Sequence, residues 1–245
     1  MSELSLDAAN ADLTGLSAKD RVRWAADKFG DGVVLLSSMQ RTSVALMHMF
    51  HDLCLGNEIL FVDTGYHFHE TLRFRDQLMR QWHLNLVTLY PELTIEEQEG
   101  RFGKKLYTCN DGQPECCRMR KELPLLEYLA GKAAPVVVVN GLRREEGGRR
   151  ANLSALAHDA RTKGYQLSPI FDWTSADIQK YSESHSLPVH PLYAKGYASI
   201  GCHPCTTPIQ PGEDARAGRW RHLRVLHGED AAQYCGINYS DGSGI

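Results

Sequence analysis

Hydrophobic residues in this chain gather into short, nearly continuous runs, separated by longer stretches with helical spacing. The runs are Gly32-Val33-Val34-Leu35-Leu36, Glu58-Ile59-Leu60-Phe61-Val62, Leu84-Asn85-Leu86-Val87-Thr88-Leu89 and Pro135-Val136-Val137-Val138-Val139. Such runs, rich in β-branched residues, predict strands covered on both faces, the habit of a parallel sheet. Helices are predicted from Ser43 to His51 and from Phe68 to Trp82. Thr174-Ser175-Ala176-Asp177 has the form of a capping box, so a further helix is predicted to start there. The pattern is that of an α/β fold with helices on both faces of a parallel sheet.

Ligands of open parallel sheets sit beyond the carboxyl ends of the strands. Three segments take that place here: Ser37-Ser38-Met39-Gln40-Arg41-Thr42-Ser43, Asp63-Thr64-Gly65-Tyr66 and Asn140-Gly141-Leu142-Arg143-Arg144. Hydroxyls and backbone N–H groups at a helix start suit phosphate or sulfate. The run Arg143-Arg144-Glu145-Glu146-Gly147-Gly148-Arg149-Arg150 adds guanidinium forks that grip oxyanions, and Arg216-Ala217-Gly218-Arg219-Trp220-Arg221 is a second basic group. Alone, each segment also reads as an ordinary turn or a solvated charge run. Together on one sheet edge they predict a nucleotide or another anionic ligand.

Composition narrows the classes. A length of 245 residues fits one domain with an extension, and a net charge of −3 leaves no general basic footprint for nucleic acid. No stretch approaches the roughly 20 apolar residues that span a bilayer, so no membrane partner is expected. Met1-Ser2-Glu3-Leu4-Ser5-Leu6-Asp7 lacks the basic and apolar regions of a secretory signal, and a cytoplasmic protein is expected. The division expected is a ligand-binding domain over residues 1–215 and a mobile C-terminal segment over 216–245, which turns glycine-rich and contains Cys235 followed by Gly236. A thiol there is either incidental or a nucleophile that enters the site, for which nearby cations would favour the thiolate.

The cysteines carry the sharpest chemistry. Of seven, four form two close pairs, Cys116-Cys117 and Cys202-His203-Pro204-Cys205. Neighbouring Cα atoms lie about 3.8 Å apart, closer than the usual disulfide range of roughly 4.4–6.8 Å. Adjacent ligands are also awkward for one tetrahedral zinc, whereas a cuboidal iron–sulfur cluster offers each thiolate its own iron. The cluster is the favoured reading; a zinc site and unrelated buried thiols stay open. Cys54, within an apolar helix pattern, reads as a core thiol.

These residues resemble the assimilatory sulfonucleotide reductases, the adenylylsulfate and phosphoadenylylsulfate reductases. The resemblance runs from Val33 to Gly236 through Asp63-Thr64-Gly65-Tyr66 with Phe68 and Glu70-Thr71, and Glu115-Cys116-Cys117 with Arg120-Lys121 and Pro124-Leu125. It continues in Gly141-Leu142-Arg143-Arg144, Pro191-Leu192, Gly196-Tyr197, Gly201-Cys202-His203-Pro204-Cys205-Thr206, Arg216-Ala217-Gly218-Arg219-Trp220 and Cys235-Gly236. It implies a Rossmann-like, adenine nucleotide alpha-hydrolase-like fold related to the ATP-pyrophosphatases. It also implies a 4Fe–4S cluster on Cys116, Cys117, Cys202 and Cys205, with Lys121 linking cluster and substrate electrostatically. Ser37 and Ser38 would line the nucleotide loop, with Asp63, Thr64 and Gly65 at the next strand end. Arg143, Arg144 and Arg150 would surround phosphate and sulfate, and Arg216 and Arg219 would close the site. Cys235 would attack the sulfur of adenylylsulfate, releasing AMP, and thioredoxin or a glutaredoxin-like reductant would release sulfite from the S-sulfocysteine. The same reaction on phosphoadenylylsulfate, an ATP-pyrophosphatase-type adenylating or thiolating enzyme, and a non-catalytic sensor are the alternatives; a homo-oligomer is left open. The chain departs from the family pattern at Ser38-Met39-Gln40-Arg41, where a glycine is usual. It departs again at Gln113, where histidine is common, and at Tyr234-Cys235-Gly236-Ile237-Asn238, usually Glu-Cys-Gly-Leu-His.

Overall fold

All four apolar runs become neighbouring parallel strands. β1 (Val33–Leu36) pairs with β2 (Ile59–Val62), β2 with β3 (Leu86–Leu89), and the other edge of β1 with β4 (Val137–Val139). The structure is a computed structural model that describes residues 4–133 and 135–228, with the backbone alone of Arg149. Two further strands, β5 (Leu156–Asp159) and β6 (Gly164–Leu167), complete a six-stranded sheet of order β3-β2-β1-β4-β6-β5, in which only β5 runs antiparallel. The helices are α1 (Leu6–Thr14), α2 (Ala18–Phe29), α3 (Arg41–Asp52), α4 (His69–Trp82), α5 (Ile95–Phe102), α6 (Gly112–Cys117), α7 (Leu123–Ala130), α8 (Ser175–Ser184) and α9 (Arg221–His227).

The two-residue period of a strand sends alternate side chains to opposite faces. Val33, Leu35, Ile59, Phe61, Val137, Val139 and Leu167 enter a core with Val22 and Ala25 of α2, Leu46 and Phe50 of α3, and Ile178 of α8. Val34, Leu36, Leu60, Val62 and Val138 face the other way, onto Leu125 and Leu129 of α7. The expected double-sided sheet is therefore present. The expected helices are present too, and the capping box at Thr174 is real. Thr174 Oγ1 accepts from the Asp177 amide at 3.1 Å, and the Asp177 carboxylate accepts from the Thr174 amide at 2.7 Å. Cys54, expected in the core, instead lies exposed beyond the end of α3, where the chain turns with a φ of 53°.

β5 and β6 had no apolar run to announce them. Buried Gln166 of β6 is satisfied by polar neighbours, donating to Asp159 Oδ2 at 2.9 Å. The outer edge of β5 is blocked by the Asn10 side chain, which donates to the Leu156 carbonyl at 2.8 Å and accepts from its amide at 2.9 Å. Buried Arg21 of α2 forks onto Asp172 at 2.6 and 2.7 Å and donates to the Pro169 carbonyl at 2.8 Å. It thereby fixes the turn after β6, against which the loop after β4 is built: the Arg144 amide donates to the Phe171 carbonyl at 2.8 Å. Among the described residues no helix is long and apolar enough to cross a membrane.

Candidate active site

The chain leaves β1 towards β2 on one side, and β4 returns on the other, so the connections diverge between β1 and β4. Such a switch point is where open sheets bind ligands. A cleft of about 960 Å³ opens there, walled by Ser37, Ser38, Thr42 and Ser43 after β1, Thr64 after β2, and Gly141 and Arg143 after β4. Backbone approach is tight: a β-carbon on Gly141 would lie 2.7 Å from Thr42 Oγ1. Buried Asn140 holds this turn, accepting from the Leu142 amide at 3.2 Å and from Ser168 Oγ at 2.8 Å.

The loop after β1 turns through Met39, whose φ of 58° puts a buried side chain in the left-handed region. The stretch Ser38-Met39-Gln40-Arg41 has no glycine, so Met39 itself takes the left-handed turn. Ser37 Oγ donates to Met47 Sδ at 3.2 Å and accepts from the Met39 amide at 3.2 Å, so its hydroxyl braces the loop. Ser38 shares a 3.1 Å hydrogen bond with Ser43. Gln40 gives α3 no side-chain cap, leaving the positive end of its dipole at the cleft. Instead, Gln40 Oε1 accepts from the Ile200 amide at 2.9 Å, tying this loop to the segment just before Cys202.

The cleft wall is cationic. Lys121, Arg143, Arg150, Arg216 and Arg219 all line it. The Nε atoms of Arg143 and Arg219 are buried with no hydrogen-bond partner, a costly state that an oxyanion would relieve. Arg219, 7% exposed, stacks on the Trp220 ring at 4.7 Å. Arg143 pairs with Glu145, whose carboxyl is held below its ordinary range by hydrogen bonding from Ser175 and by Arg143. Arg150 pairs with Glu146. Asp63, Gly65 and Arg144 stand outside the cleft wall. Asp63 accepts from the Gly65 amide at 3.0 Å, and Gly65 turns with a φ of 74°. Arg144 lies over Phe171 at 4.6 Å and donates to the Leu153 carbonyl at 2.7 Å.

Beside the cleft, Cys116, Cys117, Cys202 and Cys205 line one small cavity, each less than a tenth exposed. The first pair ends α6, which runs through a π-helical turn, Arg118–Glu122, into α7. The second pair flanks a 3₁₀ turn closed by the Cys205 amide on the Cys202 carbonyl at 3.0 Å. Burial and neighbouring thiols push Cys116 up from its ordinary value, and Cys205 up to about 12, which favours the thiol until a cation takes the proton's place. Gln113 Nε2 donates to Cys117 Sγ at 3.0 Å, and Thr64 Oγ1 lies 3.4 Å from Cys202 Sγ. Among the described residues no three His, Cys, Asp or Glu side chains meet around a single ion. Four buried soft donors spread over one cavity wall, with hydrogen bonds to sulfur, fit a polynuclear iron–sulfur group.

The two compartments share a wall: Lys121, Cys202 and Trp220 face both. Trp220 is 2% exposed, and its amide donates to the Cys205 carbonyl at 2.9 Å. Gly218 passes so close to the Thr207 carbonyl that no β-carbon fits. Residues 216–220, in the basic segment expected to close the site, are thus strapped to the second cysteine pair. Cys235, with Tyr234, Gly236, Ile237 and Asn238, lies outside the described residues. His67 and Tyr193, which no sequence motif singled out, also line the cleft, as do Thr71 and Asn140, which entered only as members of motif segments. Only their placement near strand ends or in motif segments could have marked them.

Residues 32–208 match the family model described as the phosphoadenosine phosphosulfate reductase domain. The chain is 41% identical to the adenosine 5′-phosphosulfate reductase of Streptomyces coelicolor over 86% of its length and 87% of the relative's. It is 39% identical to that of Mycolicibacterium smegmatis, covering 94% and 92%, and 38% identical to adenosine 5′-phosphosulfate reductase 1 of Bacillus subtilis, covering 82% and 85%. In structure it resembles phosphoadenylyl-sulfate reductase from Candida auris, with a TM-score of 0.72 at 20% identity over 84% of this chain and 98% of that one. Candida glabrata FMN adenylyltransferase follows at a TM-score of 0.56 and 13% identity, covering 84% and 73%. With the sheet order above, these likenesses show the adenine nucleotide alpha-hydrolase-like fold.

Proposed function

The chain belongs to the phosphoadenosine phosphosulfate reductase domain family, and on that premise we propose that it reduces adenosine 5′-phosphosulfate (adenylylsulfate) to sulfite and AMP. The observation that carries this reading is the shared wall. Two arginines with buried, unpartnered Nε–H groups line a cleft at the switch point, and Lys121 and Cys202 separate that cleft from four buried thiols. The relatives matched over most of the chain are named for the unphosphorylated nucleotide, which favours it over the 3′-phosphorylated one.

In this reading Ser38, Thr42, Ser43 and the start of α3 receive the α-phosphate, and Arg143, Arg150, Arg216 and Arg219 receive the sulfate and the leaving phosphate. Cys116, Cys117, Cys202 and Cys205 hold a 4Fe–4S cluster, which supplies a compact charged group next to Lys121. The thiolate of Cys235 attacks the sulfur of the substrate. An S–S bond forms, the S–O bond to phosphate breaks, and the electron pair leaves on AMP. Cationic groups fixed around the oxygens offset the repulsion between two anions, each worth about 10²–10³ in rate. A thioredoxin thiolate then attacks Cys235 Sγ, sulfite leaves with the electron pair of the broken S–S bond, and thioredoxin's second thiol breaks the resulting mixed disulfide, freeing Cys235 and leaving thioredoxin oxidised. Six residues lie between Gly228, the last described position, and Cys235, a reach of at most about 25 Å. α9 is anchored beside the thiols through Leu223 and through His222 on the Tyr107 carbonyl at 2.8 Å. We assign the protein to the cytoplasm, where these thiols stay reduced.

Incubation with adenosine 5′-phosphosulfate, without thioredoxin, is expected to add one SO₃ group to Cys235, read by peptide mass. AMP release at the wild-type rate from Cys235→Ser would refute that nucleophile. Anaerobically purified protein is expected to be brown and to hold iron and sulfide; colourless, zinc-loaded protein would refute the cluster.

A further inference from the structure

His67 follows β2 and lines the cleft, yet nothing in the mechanism above uses it. Its Nε2 lies 3.0 Å from the Val62 carbonyl oxygen. A carbonyl only accepts, so Nε2 carries the proton and Nδ1 of the neutral ring is a bare lone pair. That Nδ1 is buried and has no hydrogen-bond partner. Burial holds the ring below the ordinary histidine pKa, with Lys121 and Arg75 pushing the same way against the pull of Asp63. The ring rests against Phe61, with centroids 4.9 Å apart, and Leu36, Phe61 and Val62 line the cleft with it. These apolar side chains, beside Thr64 and Thr71 and an acceptor with no protein partner, suit a flat heterocycle that presents an N–H at its edge. A bare lone pair offers no donor to the oxygens of phosphate or sulfate.

We propose that His67 Nδ1 accepts a hydrogen bond from the exocyclic amino group of the nucleotide's base, and thereby selects adenine over 6-oxopurines. This inference rests on the nucleotide-binding reading above and adds the residue that reads the base. Guanine and hypoxanthine carry an acceptor oxygen where adenine carries the amino group. Against His67 they set one lone pair on another and leave both buried acceptors unpaired, a penalty that a site built for a donor imposes on its analogues.

The test uses the full chain with its cluster and measures binding of AMP, inosine 5′-monophosphate and purine riboside 5′-monophosphate, which lacks the amino group. The wild-type protein is expected to bind AMP about tenfold to a hundredfold more tightly than either analogue. His67→Phe keeps a ring against Phe61 and removes both nitrogens; its preference for AMP is expected to fall close to one, while the affinity for inosine 5′-monophosphate holds or rises. His67→Gln, which keeps an acceptor, is expected to retain part of the preference. An unchanged ratio in His67→Phe overturns the base contact. So does equal wild-type affinity for AMP and purine riboside 5′-monophosphate, a comparison that stands even if His67→Phe fails to fold. Failure of the wild-type protein to bind AMP at all would overturn the nucleotide reading, and this contact with it. Tight AMP binding without discrimination overturns this contact alone.

Discussion

The guanidinium of Arg219 lies so tightly against the backbone of Gly201 that no β-carbon fits at residue 201. Gly201→Ala is therefore expected to push Arg219 off its seat on Trp220. If the guanidinium stabilises the leaving group, kcat/KM should fall by about 10²-fold or more, as when a fixed charge-stabilising donor is lost. Arg219→Ala should cost as much, and the double variant no more, because both changes remove one interaction. Sulfite release and iron content measured together check this; full activity in Gly201→Ala would show that the seat is not needed.

Gln113 is fully buried and donates to Cys117 Sγ at 3.0 Å. A donor to a ligating sulfur orients it and spreads its charge. Gln113→Leu keeps the bulk and removes the donor. Loss of iron to a chelator should become easier by about 10–100-fold in effective affinity, the usual scale for such neighbours of a ligand. Iron release followed against chelator concentration reads this without an activity assay, and an unchanged curve would argue that the hydrogen bond is dispensable.

His190 gives folding a distinct acid sensitivity. It is 2% exposed, with Nε2 3.0 Å from Thr71 Oγ1 and Nδ1 accepting from the Leu192 amide at 3.2 Å. Burial pushes its pKa down from the ordinary 6.5 to about 4. The unfolded chain then takes up a proton that the folded chain refuses. Stability is undiminished above pH 6.5, declines as the pH falls from 6.5 towards 4, and levels off below that. Urea midpoints across this window should fall less steeply in His190→Gln than in the wild type. Equal slopes would assign the acid sensitivity to other groups.

The sheet's first four strands were legible because β-branched runs have no other stable home than a core covered on both sides. β5 and β6 were not, since Gln166 and Asp159 satisfy each other in the interior and so interrupt the apolar signal. The spacing of the thiols singled out two pairs, which the fold buries around one cavity, while it left open what they bind. Cys235, an incidental thiol or a nucleophile on its local sequence, lies outside the described residues. His67 was hidden between Tyr66 and Phe68, where a ring reads as packing. Its unpaired nitrogen exists only because the Val62 carbonyl takes the other one. The clamp from Gln40 to Ile200 joins residues 160 positions apart, beyond any local pattern.

Trp220 carries one last consequence. The match to the family domain stops at residue 208, yet the indole that roofs the thiols, and the arginine stacked on it, come from beyond that limit. A fragment trimmed to the matched span would keep every strand and all four sulfurs, but would leave their chamber open to water and dioxygen. The working unit is longer than the span of the family model.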